Sequence, residues 1–213
     1  MWAHTKQSQE KITPEIALSY LKEGNRRFVR SLKTNRNLLK QVNQTSEGQF
    51  PFATILSCMD SRTSAELIFD QGLGDIFSIR IAGNLLNKDI LGSMEFACNV
   101  VKSKLIVVLG HTKCGAVINA CDDLKMGHFT HLLKKIKPSI DAEKITKEER
   151  NGDNNIFVNN VTINNIQRTI QQIRKKSKIL NDLEKRKQIN IVGGMYNVET
   201  GKVRFYENLS NRI

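Results

Sequence analysis

This sequence lacks any apolar run long enough to cross a membrane, for which a helix needs about 18 residues. Its amino-terminal stretch, MWAHTKQSQEKITPE, also lacks the apolar core of a secretory signal. Both absences argue against a membrane-embedded or exported protein. We therefore expect a cytoplasmic protein.

Aromatic residues are scarce, at 6% of the 213 residues, and none is interleaved with the most basic segments. The net charge is nevertheless +12, with 33 lysines and arginines against 21 acidic residues. Much of the excess lies in KKIK (134–137) and RKKSK (174–178). Basic surfaces can bind nucleic acid or anionic membranes, but no nucleic-acid motif accompanies this one. We interpret the charge as solvated helix faces and expect neither a nucleic-acid nor a membrane partner.

Internal repeats and low-complexity linkers are also absent, which favours a single domain over residues 1–213. Residues 1–50 are predicted to form a helical arm. Its first clear helix begins at T-P-E, where Thr13 can cap and Pro14 suits the first helical position. Residues 51–213 are predicted to form an α/β core with carboxyl-terminal helices and an edge hairpin.

Through the centre of the chain, short apolar segments typical of buried strands alternate with amphipathic segments typical of helices. The predicted strands are FATILS (52–57), DIFSIRIAG (75–83), KLIVVLG (104–110) and QINIVGGM (188–195). The predicted helices of this core lie at 64–72, 89–103, 115–127, 130–138, 158–177 and 179–187. The alternation implies crossover connections and therefore a mostly parallel sheet flanked by helices. The final segment YNVETGKVRFYE is typical of a hairpin, with Thr200-Gly201 at its turn.

Two of the predicted strands end in side chains that can bind a metal ion. Cys58 follows the first strand in SCMDSR, and His111 and Cys114 follow the third in GHTKCG. Because ligands bind beyond the carboxyl ends of parallel strands, these side chains converge if the two strands are neighbours. Taken alone, Cys58 could instead be a buried small hydrophobe or a redox thiol.

A set of two cysteines and one histidine is typical of catalytic zinc, since three protein ligands leave a fourth position open. Asp60 and Arg62 follow Cys58 closely and can form a bidentate ion pair. An aspartate held in this way could accept a hydrogen bond from zinc-bound water, or it could bind the metal itself. The sequence leaves both states open.

At this point a resemblance is clear. C-M-D-S-R (58–62) and H-T-K-C-G (111–115) resemble the paired signature C-x-D-S-R … H-x-x-C-G of the β-class carbonic anhydrases. The similarity covers roughly residues 13–207 and includes R-I-A-G-N (80–84) and M-Y-N-V-E-T-G-K-V (195–203). The order and spacing of the two motifs make the resemblance specific.

The resemblance implies four parallel strands with an added antiparallel edge strand, and amino-terminal helices that embrace a partner in a homodimer or homotetramer. It implies reversible hydration of carbon dioxide to bicarbonate and a proton by zinc-bound hydroxide, with one zinc per chain. Cys58, His111 and Cys114 match the zinc ligands of the family. Asp60 and Arg62 match its catalytic dyad, which gates the fourth zinc position.

Further positions follow from the same resemblance. Gln49 matches a glutamine that helps some members bind substrate near the subunit interface, and Gly115, which closes the second motif, is also expected at the substrate. Members with a bicarbonate-triggered closed state carry a tryptophan where this chain has Ile55. We therefore predict that Asp60 stays off the metal near neutral pH. The chain also departs from the frequent Val-Ala-Asn in having Ala82-Gly83-Asn84.

Two other functions stay open. The same fold and zinc could hydrolyse carbonyl sulfide or carbon disulfide. A non-enzymatic zinc or redox module would instead need a fourth permanent ligand, or a low-pKa cysteine with a resolving partner. The remaining candidate ligands are assigned to the core (Cys98, Cys121) or to the surface (His128, His131).

Overall fold

A five-stranded sheet runs through the molecule in the order β2-β1-β3-β4-β5. The computed structural model describes residues 3–206. The strands are β1 (Ala53–Ser57), β2 (Ile76–Arg80), β3 (Leu105–His111), β4 (Asn190–Tyr196) and β5 (Val203–Tyr206). The first four pair in parallel, whereas β5 pairs antiparallel with β4. The prediction of a mostly parallel α/β sheet with an antiparallel edge strand is confirmed.

Ten α-helices surround the sheet within residues 3–206. They are α1 (Lys6–Glu10), α2 (Pro14–Val29), α3 (Leu38–Thr45), α4 (Ala65–Ile68), α5 (Lys88–Glu95), α6 (Gly115–Cys121), α7 (Gly127–Lys134), α8 (Lys137–Ala142), α9 (Asn155–Lys176) and α10 (Lys178–Lys185). A 3-10 turn at Ala82–Asn84 follows β2, and a π-helical turn at Phe96–Val100 follows α5. None of the helices in this part of the chain is long and apolar enough to cross a membrane.

The observed helices differ from the predicted ones in several places; for example, the segment 64–72 is helical only over Ala65–Ile68. The segment 115–127 stays helical only to Cys121, since Asp123 has a left-handed backbone with φ 52°. The segment 130–138 splits into α7 and α8, with Pro138 in the first turn of α8, where its missing N–H is tolerated. Helix α1 was not predicted; Thr5 and Ser8 cap it reciprocally.

Strands β1 and β3 are buried along their whole length, which explains their continuous apolar sequences. Alternate residues of a strand face opposite sides of the sheet. Ile55 and Val107 pack in the cluster that includes α2, whereas Leu56 and Val108 pack in the one that includes α5 and α9. Because β1 and β3 are neighbours, their carboxyl ends lie side by side.

The amino-terminal arm is fastened by the carboxylate of Asp70, which is 5% exposed. This carboxylate accepts hydrogen bonds from Arg27 Nε at 2.5 Å, Arg36 Nη1 at 2.6 Å and Thr34 Oγ1 at 3.0 Å. Arg27 belongs to α2, and the other two belong to the connection between α2 and α3. The carboxylate therefore holds this connection against the turn that ends α4.

Candidate metal centre

The carboxyl ends of β1 and β3 bring together the three side chains that the sequence singles out. Cys58 follows β1 directly, His111 is the last residue of β3, and Cys114 immediately precedes α6. The pairing of Ser57 with Leu109 sets these positions at one edge of the sheet. His111, 53 positions after Cys58 in the chain, thus becomes its neighbour, because β1 and β3 are adjacent in the sheet.

The donor atoms of the three residues form a compact group. The sulfur atoms of Cys58 and Cys114 lie 3.9 Å apart, and all three donor atoms lie within 4.8 Å of one another. Each of the three residues is buried, at 4% exposure or less. Two thiolates on one tetrahedral zinc ion, each about 2.3 Å from it, would lie about 3.8 Å apart. The spacing of the sulfurs therefore fits zinc.

The imidazole of His111 is oriented for a metal ion. Its Nδ1 lies 2.9 Å from the carbonyl oxygen of Thr112, a contact in which Nδ1 is the donor. The other ring nitrogen, Nε2, then carries the free lone pair. It is buried and has no hydrogen-bond partner among residues 3–206. A buried unpaired acceptor is costly, and a bound metal ion would satisfy it.

The two thiols hold charge unequally. Contact with Cys114 lowers the pKa of the Cys58 thiol, and a hydrogen bond from the backbone N–H of Gly83, at 3.4 Å, adds to this effect. The same contact and burial raise the pKa of Cys114. The pair therefore holds one negative charge unaided, and a bound cation is needed to ionise both sulfurs. This donor set fits a divalent ion.

Asp60 and Arg62 lie beside the three donor residues as an ion pair. Hydrogen bonds from Arg62 lower the pKa of Asp60 to about 2, so that its carboxylate stays ionised at neutral pH. Its Oδ2 lies 3.9 Å from His111 Nε2 and thus faces the donor group. Arg62 also donates from Nη2 to the carbonyl oxygen of Lys113, at 3.3 Å, which links the two motifs.

Arg80 is a site residue that sequence reasoning missed. At the end of β2, its Nε donates to the carbonyl oxygen of Cys58 at 3.1 Å, and its Nη2 donates to that of Asp60 at 2.6 Å. Arg80 thus holds the backbone that carries one donor residue and the dyad. The R-I-A-G-N stretch marks the position, but the pattern gives no indication that its arginine points at this loop.

The turn between β4 and β5 supports the second motif. The backbone N–H of Val198 donates to Thr112 Oγ1 at 3.0 Å, and Glu199 pairs with Lys113 at 2.6 Å. Thr112 N–H in turn donates to the carbonyl oxygen of Tyr196 at 2.9 Å. The hairpin therefore fixes the residues between His111 and Cys114.

The two predicted substrate residues lie in different surroundings. Gly115 begins α6 and is exposed, and a Cβ added there would meet no atom within 4 Å. Gln49 lies in an exposed loop before the amino end of β1, whereas Cys58 follows its carboxyl end. The strand between them, about 17 Å long at 3.3 Å per residue, separates Gln49 from the donor group of its own chain.

The other candidate ligands lie apart from this centre. Cys98 is buried in the core, Cys121 is half-buried at the end of α6, and His128 and His131 are exposed on α7. Cys58, His111 and Cys114 form the one group of three potential metal ligands among residues 3–206.

A family model, curated sequences and solved structures that resemble this chain are all carbonic anhydrases. The family model described as carbonic anhydrase matches residues 53–203. A carbonic anhydrase of Mycolicibacterium smegmatis is 33% identical over 205 residues, which cover 93% of this chain and 96% of that protein. The β-carbonic anhydrase of Coccomyxa in complex with acetazolamide has a TM-score of 0.70 at 22% identity, covering 91% of this chain and 90% of that one. A tetrameric β-carbonic anhydrase of Sordaria macrospora has a TM-score of 0.67 at 21% identity, covering 79% and 90%.

Proposed function

Because the chain belongs to the β-class carbonic anhydrase family, we propose that it catalyses the zinc-dependent, reversible hydration of carbon dioxide to bicarbonate and a proton. Cys58, His111 and Cys114 would hold one zinc ion per chain. The observation that carries the proposal is the buried group of three donor atoms within 4.8 Å of one another. Bound zinc would supply a Lewis acid that makes water a nucleophile at neutral pH.

Asp60 orients the reacting water. Its Oδ2 faces the donor group, and its pKa of about 2 keeps it a carboxylate, so that it accepts a hydrogen bond without keeping the proton. Arg62 prevents this carboxylate from rotating. We propose that Asp60 stays paired with Arg62 and off the metal near neutral pH, consistent with Ile55 in place of the tryptophan of members that have a closed state. The proton then leaves past Asp60, whose side chain is 17% exposed.

The carbon dioxide molecule is apolar and needs an apolar pocket beside the donor group. Ala82, Leu85, Ala116 and Val117 pack in the same buried cluster as the two cysteine donors. We propose that these side chains exclude water from the carbon dioxide site. Gly115, with open space beside its backbone, would contact the substrate next to them.

Gln49 would act on the metal centre of a second copy of the chain, since β1 separates it from its own. We therefore propose a homo-oligomer, a dimer or a tetramer. The tetrameric relative from Sordaria macrospora supports this arrangement by its fold. We also propose a cytoplasmic location, because a reducing compartment keeps thiol ligands free of disulfide exchange.

The experiment that tests the reaction is stopped-flow measurement of carbon dioxide hydration by zinc-loaded protein, beside hydrolysis of carbonyl sulfide by the same sample. The proposal expects rapid carbon dioxide hydration and slow carbonyl sulfide hydrolysis. A preference for carbonyl sulfide would replace the proposed substrate. Activity on neither substrate, with zinc bound, would favour a non-enzymatic zinc module.

A further inference from the structure

A groove of about 580 Å³ borders the turn that follows β2. Its walls are the start of α5, one face of α9, and Lys135 and Pro138 between them. Asn165 lines the groove and donates to the carbonyl oxygen of Gly83 at 2.9 Å, while the N–H of Gly83 donates to Cys58 Sγ. Gly83 thus connects a groove residue to a metal-donor residue through two hydrogen bonds, and Leu85 lines the groove while it packs with the two cysteine donors.

The charge of the groove is entirely positive. Four basic side chains line it, and no acidic one does: Lys88, Lys135, Arg168 and Lys176. Within residues 3–206, none of the four forms an ion pair. Unpaired cations that converge on one concave space create a positive potential, which attracts anions.

Helix α9 presents its polar face to this groove. The residues that line it recur at helical spacing along one side: Asn165, Arg168, Thr169, Gln172 and Lys176. Among them, Arg168 has its Nε atom buried without a hydrogen-bond partner in the described residues. A buried donor of this kind costs free energy unless a ligand or water accepts from it. Arg168 is also the one arginine among the four cations that line the groove, and its guanidinium is therefore the group best suited to bind an anion.

The groove also has an apolar wall and the size of an organic ligand. Leu86, Leu91 and Pro138 line it beside the cations. Ligand pockets of proteins commonly enclose about 300–1,000 Å³, far more than a single inorganic anion fills. A guanidinium matches phosphate oxygens in a two-pronged geometry.

We propose that this groove binds a small organic phosphate, of the size of a nucleoside diphosphate. Arg168 contacts the phosphate groups together with Lys88, Lys135 and Lys176. The leucines and Pro138 cover the organic part. The inference is independent of the proposed reaction, because it concerns binding in the groove and involves none of the three metal-donor residues.

Isothermal titration calorimetry of the zinc-loaded protein with adenosine diphosphate, in the absence of magnesium, tests the proposal. We expect saturable binding of one molecule per chain, with inorganic phosphate binding at least about tenfold more weakly because it leaves the apolar wall uncovered. Arg168→Gln should weaken adenosine diphosphate binding about tenfold or more. Lys175→Gln removes the same charge from an exposed position of α9 outside the groove, and should leave binding nearly unchanged.

Three results would overturn the proposal: no saturable binding of adenosine diphosphate, equal affinity for inorganic phosphate, or equal weakening by Lys175→Gln and Arg168→Gln. Circular dichroism shows whether each variant is folded. If Arg168→Gln does not fold, Lys135→Gln takes its place with the same expected result and the same control.

Discussion

Asp60 and Arg62 are locked together by two side-chain hydrogen bonds, from Nε to Oδ1 at 2.9 Å and from Nη2 to Oδ2 at 2.8 Å. The backbone N–H of Arg62 also donates to Oδ1, at 2.9 Å. Each carboxylate oxygen has two lone pairs, so Oδ1 is saturated and Oδ2 keeps one free acceptor position. Oδ2 lies 3.9 Å from His111 Nε2. The ion pair thus aims a single acceptor at the metal centre.

Replacing Arg62 by lysine should allow the carboxylate of Asp60 to rotate, so that Oδ2 no longer faces the metal centre steadily. Lysine offers a compact ammonium instead of a planar fork and cannot hold both oxygens in the same plane. We expect kcat/KM for carbon dioxide hydration to fall about 10–100-fold, with zinc content unchanged. Arg186→Lys is the matched control, because Arg186 is exposed and, within residues 3–206, its side chain donates one hydrogen bond, to the carbonyl oxygen of Asp182. A wild-type rate for Arg62→Lys would refute the proposed role of the pair.

Arg80→Met should loosen the loop that carries Cys58. The variant loses both hydrogen bonds to the carbonyl oxygens of Cys58 and Asp60, while it keeps most of the aliphatic stem. We expect zinc to be lost about tenfold more readily to a chelator. Arg204→Met, at an exposed position of edge strand β5, is the control. If both variants retain zinc equally well, Arg80 does not support the site.

Asp70→Asn should destabilise the fold without touching the metal centre. Asparagine keeps the shape but leaves the positive charge of Arg36, whose side chain is 7% exposed, without its counter-ion. We expect a loss of about 2–3 kcal/mol in the free energy of unfolding at pH 7. Urea denaturation of the two proteins at equal zinc loading measures it.

The same variant has a defined pH dependence. Burial raises the pKa of Asp70, but the hydrogen bonds from Arg27 and Arg36 outweigh this effect, and the net pKa lies below its usual value. The stabilisation is therefore complete above the unfolded-state pKa of about 4 and is lost as the pH falls through the lowered folded-state pKa. The difference in unfolding free energy between wild type and Asp70→Asn should shrink in acid. A difference that stays constant down to about pH 3 would show that ionisation of Asp70 is not its source.

Gln49 should act across a subunit interface. Co-expression of two variants, Gln49→Ala and Cys58→Ser, tests this role. Gln49→Ala chains keep their zinc ligands, and Cys58→Ser chains keep Gln49. If Gln49 contacts the centre of a partner, co-expressed mixed oligomers contain sites that combine an intact metal centre with an intact glutamine. Their activity per chain should exceed the mean of the two separate variants. Activity equal to that mean would mean that Gln49 does not act in this way.

The sequence predicted the elements that depend on local patterns. Buried parallel strands have continuous apolar sequences, and both metal motifs follow such segments. The meeting of Cys58 with His111 and Cys114 required in addition that β1 and β3 be neighbours, which the sequence left open and the structure shows. The limits of the helices could not be predicted, because the chain leaves the α6 segment through a left-handed backbone at Asp123, where no glycine or proline marks the end of the helix.

Side-chain contacts between residues far apart in the chain also could not be predicted from the sequence. Arg80 reaches the carbonyl oxygens of Cys58 and Asp60 across a strand pair, and Asp70 collects donors that lie 34 to 43 residues earlier in the chain. Such contacts depend on rotamers and register, which no periodicity encodes. The resemblance to a family indicated where the metal ligands lie but not which residues hold their backbone.

The most direct test of the account is zinc content together with carbon dioxide hydration for wild type, Cys114→Ser and Cys98→Ala. Cys98 is also a buried cysteine, but it lies in the core away from the donor group. We predict about one zinc per chain and full activity for wild type and Cys98→Ala, and loss of both in Cys114→Ser. Equal zinc content and equal rates in Cys114→Ser and wild type would contradict the proposed metal centre.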